Sequence, residues 1–314
     1  MKKTLLLGSL CVLTGLGAVK LDTDKTPAYD SIAQAEITAS SPQITLLNPG
    51  NEPKQELRFT PKVASKTISK MTMNTATTTL VDGQTMPQVN IPTITMNMEV
   101  EVTNVAENGD INTNFNYTDA EVVANENTTP EILSIMETQM NQLVGLSGSF
   151  LLDNRGNTKD VDIKYPENMD TNTQQMLASM VDSLTQLSAP FPTEAVGKGA
   201  KWQVINSFST NGININQIAT YELVDIQDKI ATVNVKIEQQ AGEQNIPSAS
   251  MTLNSLTGIG EGEKKINLEQ IMPITATIEM KSDMKMTNIN PDNNQENVFE
   301  TQSFTQINLQ SKYE

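Results

Sequence analysis

The stretch "TITMNMEVEV", residues 93–102, alternates apolar and polar side chains without interruption. Isoleucine, methionine and valine occupy every second position, and threonine, asparagine and glutamate fill the positions between them. A β-strand repeats every two residues, so this pattern predicts a strand with one buried face and one face in water. Residues 274–287 repeat the pattern, with isoleucine and methionine opposed by threonine, lysine, glutamate and aspartate.

Strand signals recur along most of the chain. Three short polar segments, "ENGD" (107–110), "DNRGN" (153–157) and "DIQDK" (225–229), predict turns between antiparallel neighbours. The chain is therefore predicted to be mainly antiparallel β. The further predicted strands lie near 66–80, 111–123, 146–152, 158–165, 200–208, 213–224, 230–239, 248–260 and 299–310.

Two segments have helical periodicity instead. "TTPEILSIMETQMNQLV" (128–144) opens on a capping threonine and carries Met136 and Met140 on one apolar stripe. "TNTQQMLASMVDSLTQL" (171–187) has a similar stripe that includes Met180. Each stripe should pack on the buried face of the sheet. The predicted fold class is α+β, with a curved, half-barrel-like antiparallel sheet and two helices on its concave face.

The first residues have the pattern of an export signal. Lys2 and Lys3 precede a short apolar run that ends at Val19, which predicts a signal peptide over 1–18 with cleavage after Ala18. The alternative is a lipoprotein modified at Cys11, but Leu10 stands where such sites have a small residue. We therefore expect a periplasmic or secreted protein with no transmembrane segment after cleavage.

The mature chain would have neither cysteine nor histidine. Removing Lys2 and Lys3 takes the net charge from −16 to −18, because −16 minus two positive charges is −18. Such an acidic protein repels nucleic acid.

The rest of the chain is predicted to have two parts. Residues 19–54 lack periodicity and predict a flexible tether. Residues 55–314 predict a single β-rich domain, whose two halves could be related by a loose duplication.

The segment "APFPTEAVGKGAKWQV" (189–204) invites comparison with a phosphate-binding loop. Such a loop lies between a strand and a helix, whereas this segment leaves a predicted helix and enters a strand. We therefore interpret this segment as a structural turn and not as a phosphate-binding loop. Gly197 and Gly199 shape a turn, and Trp202 anchors the following strand in the core.

Within the same region, "PFPTEAVGKGAKWQV" (190–204) resembles the Pro-x-Pro…Val-x-x-Gly-x-x-Trp segment of a functionally uncharacterised family of exported bacterial β-rich proteins. Three other segments fit that family's layout over roughly 55–310: "ELRFTPK" (56–62), "FLLDNRGNTKDV" (150–161) and "GIGEGEKKINLEQIMPI" (258–274). The predicted architecture is more remotely similar to LolA-like half-barrels, which implies a carrier of acyl chains.

Candidate catalytic groups are few. A histidine- or cysteine-dependent site is excluded in the expected mature chain, which would lack both residues. Ser282 and Lys285 match the Ser-x-x-Lys motif, but on a strand their side chains point to opposite faces. Paired acids such as Glu99 and Glu101 are explained by solvated strand faces, and the glycines of "GIGEGE" (258–263) by a bend or a close approach. We expect no enzyme activity, no cofactor and no metal site.

Methionine is the unusual feature of the composition. Three Met-x-Met pairs each lie on one strand face (71/73, 96/98 and 284/286), and soft thioethers of this kind can bind Cu(I). Alternatively, methionine is adaptable core filling.

The predicted function is the binding of a hydrophobic ligand in a methionine-lined cavity. One alternative is a structural or protein-interaction envelope protein with a filled core. A weaker alternative is Cu(I) binding. The cavity candidates are Met96, Met98, Met136, Met140, Met180, Met280, Met284 and Met286.

Overall fold

The computed structural model describes residues 42–86, 88–126, 128–165, 190–210, 212–246, 251–289 and 295–314. Within these ranges the chain forms fourteen strands and one helix. The second predicted helix, at 171–187, lies outside them. The elements are β1 (Gln43–Asn48), β2 (Lys66–Val81), β3 (Gln84–Thr85), β4 (Val89–Val105), β5 (Ile111–Val123), α1 (Pro130–Asn141), β6 (Ser147–Leu152), β7 (Thr158–Lys164), β8 (Lys201–Thr210), β9 (Ile213–Gln227), β10 (Ile230–Ala241), β11 (Gln244–Ile246), β12 (Met251–Asn267), β13 (Thr275–Ile289) and β14 (Glu296–Tyr313).

All the strands belong to one open antiparallel sheet. Its hydrogen-bonded order is β1-β8-β9-β10-β12-β13-β14-β2-β4-β5-β6-β7, with β3 beside β2 and β11 beside β12. The strands β1 and β7 form its two ends. The prediction of a mainly antiparallel β protein is confirmed.

The three hairpin turns predicted from short polar segments are confirmed. The turns at 107–110, 153–157 and 225–229 join β4 to β5, β6 to β7 and β9 to β10. In the last of these, Asp228 and Lys229 both have positive φ, as a two-residue hairpin turn requires. Helix α1 begins after the capping residue Thr129, whose hydroxyl accepts a hydrogen bond from the Ile132 amide at 3.3 Å.

The predicted tether extends too far along the chain. Residues 43–48 are not a linker but form β1, which pairs with β8. The segment that follows is also held in the domain. The Gly197 amide donates to Pro49 O at 2.9 Å, and the Asn51 amide donates to Lys198 O at 2.9 Å. Since residues 49–51 form backbone hydrogen bonds with the turn that precedes β8, their lack of periodicity does not indicate a free linker.

The buried side chains form three clusters. The tryptophan cluster contains residues of β8, β9, β10 and β12, and also of β4 and β5, which lie in the other half of the sheet. The methionine cluster joins β2, β4, β5 and α1. The distal cluster lies on β9 to β13.

Trp202 is the largest side chain of the tryptophan cluster. Its ring stacks on Tyr221 with centroids 5.5 Å apart, and Phe191 meets it edge-on at 6.3 Å. Its indole N–H donates to Pro190 O at 3.0 Å. Trp202 is fully buried, so the lone tryptophan packs in the core.

The two glycines before Trp202 have different structural reasons. Gly199 has a φ of +82°, a left-handed conformation that favours glycine. A Cβ on Gly197 would lie 1.7 Å from the Asn51 carbonyl oxygen, because the turn packs directly against the segment after β1. This turn therefore brings two distant parts of the chain into contact. It is followed by β8 and not by a helix, as a phosphate-binding loop would be.

Candidate functional site

One face of the sheet, the inner face, carries all three clusters. It is defined by a line of cross-strand partners that runs from strand to strand across the sheet. These paired residues are Trp202, Tyr221, Val235, Gly262, Ile278, Ile307, Met73 and Ile94. The opposite, outer face carries mainly threonine, asparagine, glutamine, glutamate and lysine.

The methionine cluster lies between β2, β4, β5 and α1. Met71 pairs with Met96 across β2 and β4, and Met98 pairs with Tyr117 across β4 and β5. Helix α1 contributes Met136 and Met140, both buried. Four of the predicted cavity residues (Met96, Met98, Met136 and Met140) therefore belong to one cluster. Thioether side chains are adaptable, so a cluster of this composition can change its packing.

Tyr117 introduces a polar atom into this apolar surrounding. Its side chain is buried, and its hydroxyl has no hydrogen-bond partner among the described residues. Burial raises the pKa of Tyr117, so the phenol stays protonated and remains a hydrogen-bond donor. A buried donor without an acceptor is uncommon in a folded protein and requires an explanation.

The remaining predicted methionines lie elsewhere. Met284 and Met286 are buried in the distal cluster, apart from the methionine cluster. Met280 extends along the inner face, where its sulfur lies 2.6 Å from the position of a Cβ on Gly260. Met180 falls outside the described residues. The glycines of "GIGEGE" therefore permit a close approach, one of the two explanations that their alternation suggested.

A polar band crosses the inner face below the distal cluster. Gln239 Nε2 donates to Gln217 Oε1 at 2.7 Å, and both side chains are buried. Further along the same level, Thr77 and Ser303 have hydroxyl oxygens 3.3 Å apart. Gln239 Oε1 is a second buried polar atom without a partner in the described part of the chain. The alternation alone did not indicate this band, because its members are single polar residues in otherwise apolar faces.

Lys264 is the charged residue of the inner face that sequence reasoning missed. It pairs with Val233 and Ala276 on the neighbouring strands and is buried, with Nζ 5.6 Å from the centre of the Tyr221 ring. Burial lowers the pKa of Lys264 to about 8. The alternation of β12 could have indicated its inward position, but the adjacent Lys265 makes the pair resemble a solvated surface.

Lys264 is expected to make the free energy of unfolding rise with pH between about 8 and 10.5. The unfolded chain, with the ordinary value of 10.5, binds the proton more strongly than the folded chain in this window. Stability therefore increases as pH rises, by about 3 kcal/mol over the whole window. Urea unfolding at pH 7.5 to 10 measures the rise. Lys264→Met should remove it and Lys265→Met should not; a rise that persists in Lys264→Met would contradict this assignment.

The candidate catalytic pairs lie apart from the inner face. Glu99 and Glu101 are on the outer face, where Lys66 Nζ lies 3.0 Å from the first carboxylate and 3.5 Å from the second. Ser282 is buried and Lys285 is exposed, so they point to opposite faces as predicted. In the described ranges, no group of three or more histidine, cysteine, aspartate or glutamate side chains is arranged to hold a metal ion.

Two open cavities among the described residues are lined mainly by residues outside the methionine cluster. One, of about 470 Å³, lies between β11, β12, β13 and β14 and is lined by Ile246, Met251 and Glu296 among others. The other, of about 270 Å³, lies beside Glu99 and Lys164 and also contacts Phe115, a member of the methionine cluster.

No protein-family model matches the chain, and no curated protein matches it significantly. Across the described ranges, the structure contains no helix with the length and apolar character needed to cross a membrane.

Proposed function

We propose that this chain is an exported, non-enzymatic binding protein that holds an apolar ligand against the methionine cluster. The observation that carries the proposal is the Tyr117 hydroxyl, which is buried among apolar side chains and has no acceptor among the described residues. A ligand with an apolar body and one polar end would supply that acceptor. A fatty acid, with its acyl chain and carboxylate, has this chemistry.

Methionine suits such a site because its side chain is unbranched and has three rotatable bonds. The cross-strand pair Met71 and Met96 and the helical pair Met136 and Met140 line the region on two sides. A cluster of leucine and isoleucine would be as apolar but would adapt less readily to an entering chain. Composition and geometry therefore both favour an adaptable apolar ligand site.

The architecture that we propose around this site is a curved, half-barrel-like sheet. Its support is the tryptophan cluster, which includes Val102 and Ile111 from one half of the sheet and Trp202 and Tyr221 from the other. The segment that contains Leu57 also contacts both halves. A second helix at 171–187, on the concave face with α1, remains part of this proposal on sequence grounds alone.

The test is a titration with an apolar fluorescent dye and with a long-chain fatty acid, using wild type and Tyr117→Phe. The substitution removes an unpaired buried hydroxyl, so it should raise the free energy of unfolding by about 1 kcal/mol. It should also weaken fatty-acid binding, since the donor to the carboxylate is lost. A gain in stability with a loss of affinity is expected of a functional residue that is unfavourable for folding.

Tyr313→Phe is the matched control. The Tyr313 hydroxyl donates to Met272 O at 3.0 Å, so this variant should lose about 1 kcal/mol and bind the fatty acid normally. Unchanged fatty-acid affinity in Tyr117→Phe would contradict the role of Tyr117. No binding by the wild type would contradict the whole proposal.

A second candidate function is a structural or protein-interaction role with a filled core. It is favoured by the burial of the cluster methionines, which leaves little of their side chains exposed. This candidate expects no retained ligand from the same titration. Stoichiometric Cu(I) uptake that Met71→Leu and Met96→Leu remove would instead indicate a thioether metal site.

A further inference from the structure

One row across the outer face has four apolar and two charged side chains and lies between polar rows. At this level Ile205 pairs with Ile218, Glu238 with Ile259, and Lys281 with Phe304, and each pair is next to the following one across the sheet. The row therefore reads Ile205, Ile218, Glu238, Ile259, Lys281 and Phe304 from β8 to β14. At about 4.8 Å a strand it is about 24 Å long.

The apolar members of this row are exposed. Ile259 is 65% exposed, and Ile205, Ile218 and Phe304 are 36–39% exposed. The two flanking outer rows consist of polar and charged side chains, such as Gln203, Thr220 and Lys236 on one side and Asn216, Gln240 and Asp283 on the other. Several exposed apolar side chains grouped in one row with polar borders are a feature of protein–protein contacts.

The two charged residues of the row lie symmetrically on either side of Ile259. Ile259 has Glu238 on one side and Lys281 on the other, with Ile218 and Phe304 one step further out. Among the described residues, neither Glu238 nor Lys281 forms an ion pair within the chain. Each therefore lacks an opposite charge in contact while its apolar neighbours face water.

We propose that the row docks against the same row of a second copy of this chain, about a two-fold axis that passes through Ile259 parallel to the strands. This axis places Glu238 opposite Lys281 of the second copy and Lys281 opposite Glu238. It also places Ile218 opposite Phe304 and Ile259 opposite itself. One operation thus brings Ile218, Ile259 and Phe304 into contact and pairs both charges, which is the self-complementarity that a two-fold interface requires.

The flanking charges agree with this arrangement more than they oppose it. In the adjacent outer row, Lys236 of each copy faces Glu279 of the other, which gives two pairs of opposite charge. Glu261 of one copy faces Glu261 of the other, which gives one pair of like charge. An axis along the row would instead set Glu238 against Glu238 and Lys281 against Lys281. The row therefore favours the axis parallel to the strands over the alternative direction.

Sedimentation velocity of the purified protein over a concentration series tests this inference. We expect a dimer whose dissociation constant rises at least about tenfold in Ile259→Lys and in each of Glu238→Lys and Lys281→Glu. The double variant Glu238→Lys/Lys281→Glu should restore dimerisation, because the same charges meet with their signs exchanged. Thermal unfolding of each variant separates loss of the contact from loss of the fold.

Two exposed residues of β5 provide matched controls. Val123→Lys and Glu121→Lys introduce the same charges on the sheet away from the row and should leave the dimer unchanged. A wild type that stays monomeric, or a dimer that Ile259→Lys does not weaken, would overturn the proposed surface. Failure of the double variant to dimerise while both single variants fold would overturn the proposed axis. These results are independent of ligand binding.

Discussion

Replacing Trp202 by alanine is expected to lower the free energy of unfolding by about 3–5 kcal/mol. The change leaves a cavity in the tryptophan cluster, where the indole stacks on Tyr221 and contacts Phe191. It also leaves the Pro190 carbonyl without the indole donor. Because this cluster contains residues from both halves of the sheet, the loss should appear as one cooperative transition at lower urea concentration.

Lys201→Ala is the control for this prediction, since it alters the adjacent residue of the same strand. Lys201 is exposed and lies 3.2 Å from Glu222, so its removal should cause no measurable change in stability. Trp202→Phe should fall between the two, because it keeps a ring but loses the hydrogen bond. A loss below about 1 kcal/mol in Trp202→Ala would contradict the role of Trp202 as a core anchor.

Met96→Glu is expected to abolish binding of the apolar dye and to destabilise the fold by several kcal/mol. Met96 is buried beside Met71 in the methionine cluster, and a carboxylate there would have no partner and little water. Because a destabilised fold could lose binding by itself, binding is measured at a temperature where unfolding curves show the variant to be folded.

Met96→Leu is the matched control for this variant. It preserves volume and apolar character, so it should change stability by less than about 1.5 kcal/mol and retain dye binding. Dye binding that survives in folded Met96→Glu would place the ligand away from the methionine cluster. Loss of binding in Met96→Leu with unchanged stability would instead indicate a specific requirement for the thioether.

The local features of this fold could be predicted because they depend on neighbouring residues. Alternation located the strand around 93–102, and short polar segments located three hairpin turns. The pair Thr128 and Thr129 located the start of α1, with Thr129 as the cap in the structure. Each of these follows from the two-residue or 3.6-residue repeat or from capping chemistry. No knowledge of distant contacts was needed.

The strand order could not be predicted in the same way. Alternation shows which face of a strand is buried but not which strand lies beside it, so the pairing of β1 with β8 and of β14 with β2 was not foreseen. Leu57 and Phe59 were missed for a related reason. They are buried in an irregular segment whose partners come from distant turns, and no periodicity marks them.

The candidate site was only partly visible from sequence. The apolar alternation placed Met96 and Met98 on a buried face, but it could not show that the hydroxyl of Tyr117 would lack a partner there. Nor could it separate Met284 and Met286 from the other methionines, because that division depends on how the strands cross the sheet. The position of polar atoms relative to one another is a tertiary property.

We expect the methionine cluster to hold an apolar molecule whose polar end meets Tyr117. Native mass spectrometry of the protein, purified without detergent and then equilibrated with a long-chain fatty acid, tests this most directly. We expect one bound molecule per chain in the wild type and a smaller bound fraction in Tyr117→Phe. A spectrum that shows only the polypeptide mass at every fatty-acid concentration would contradict the claim.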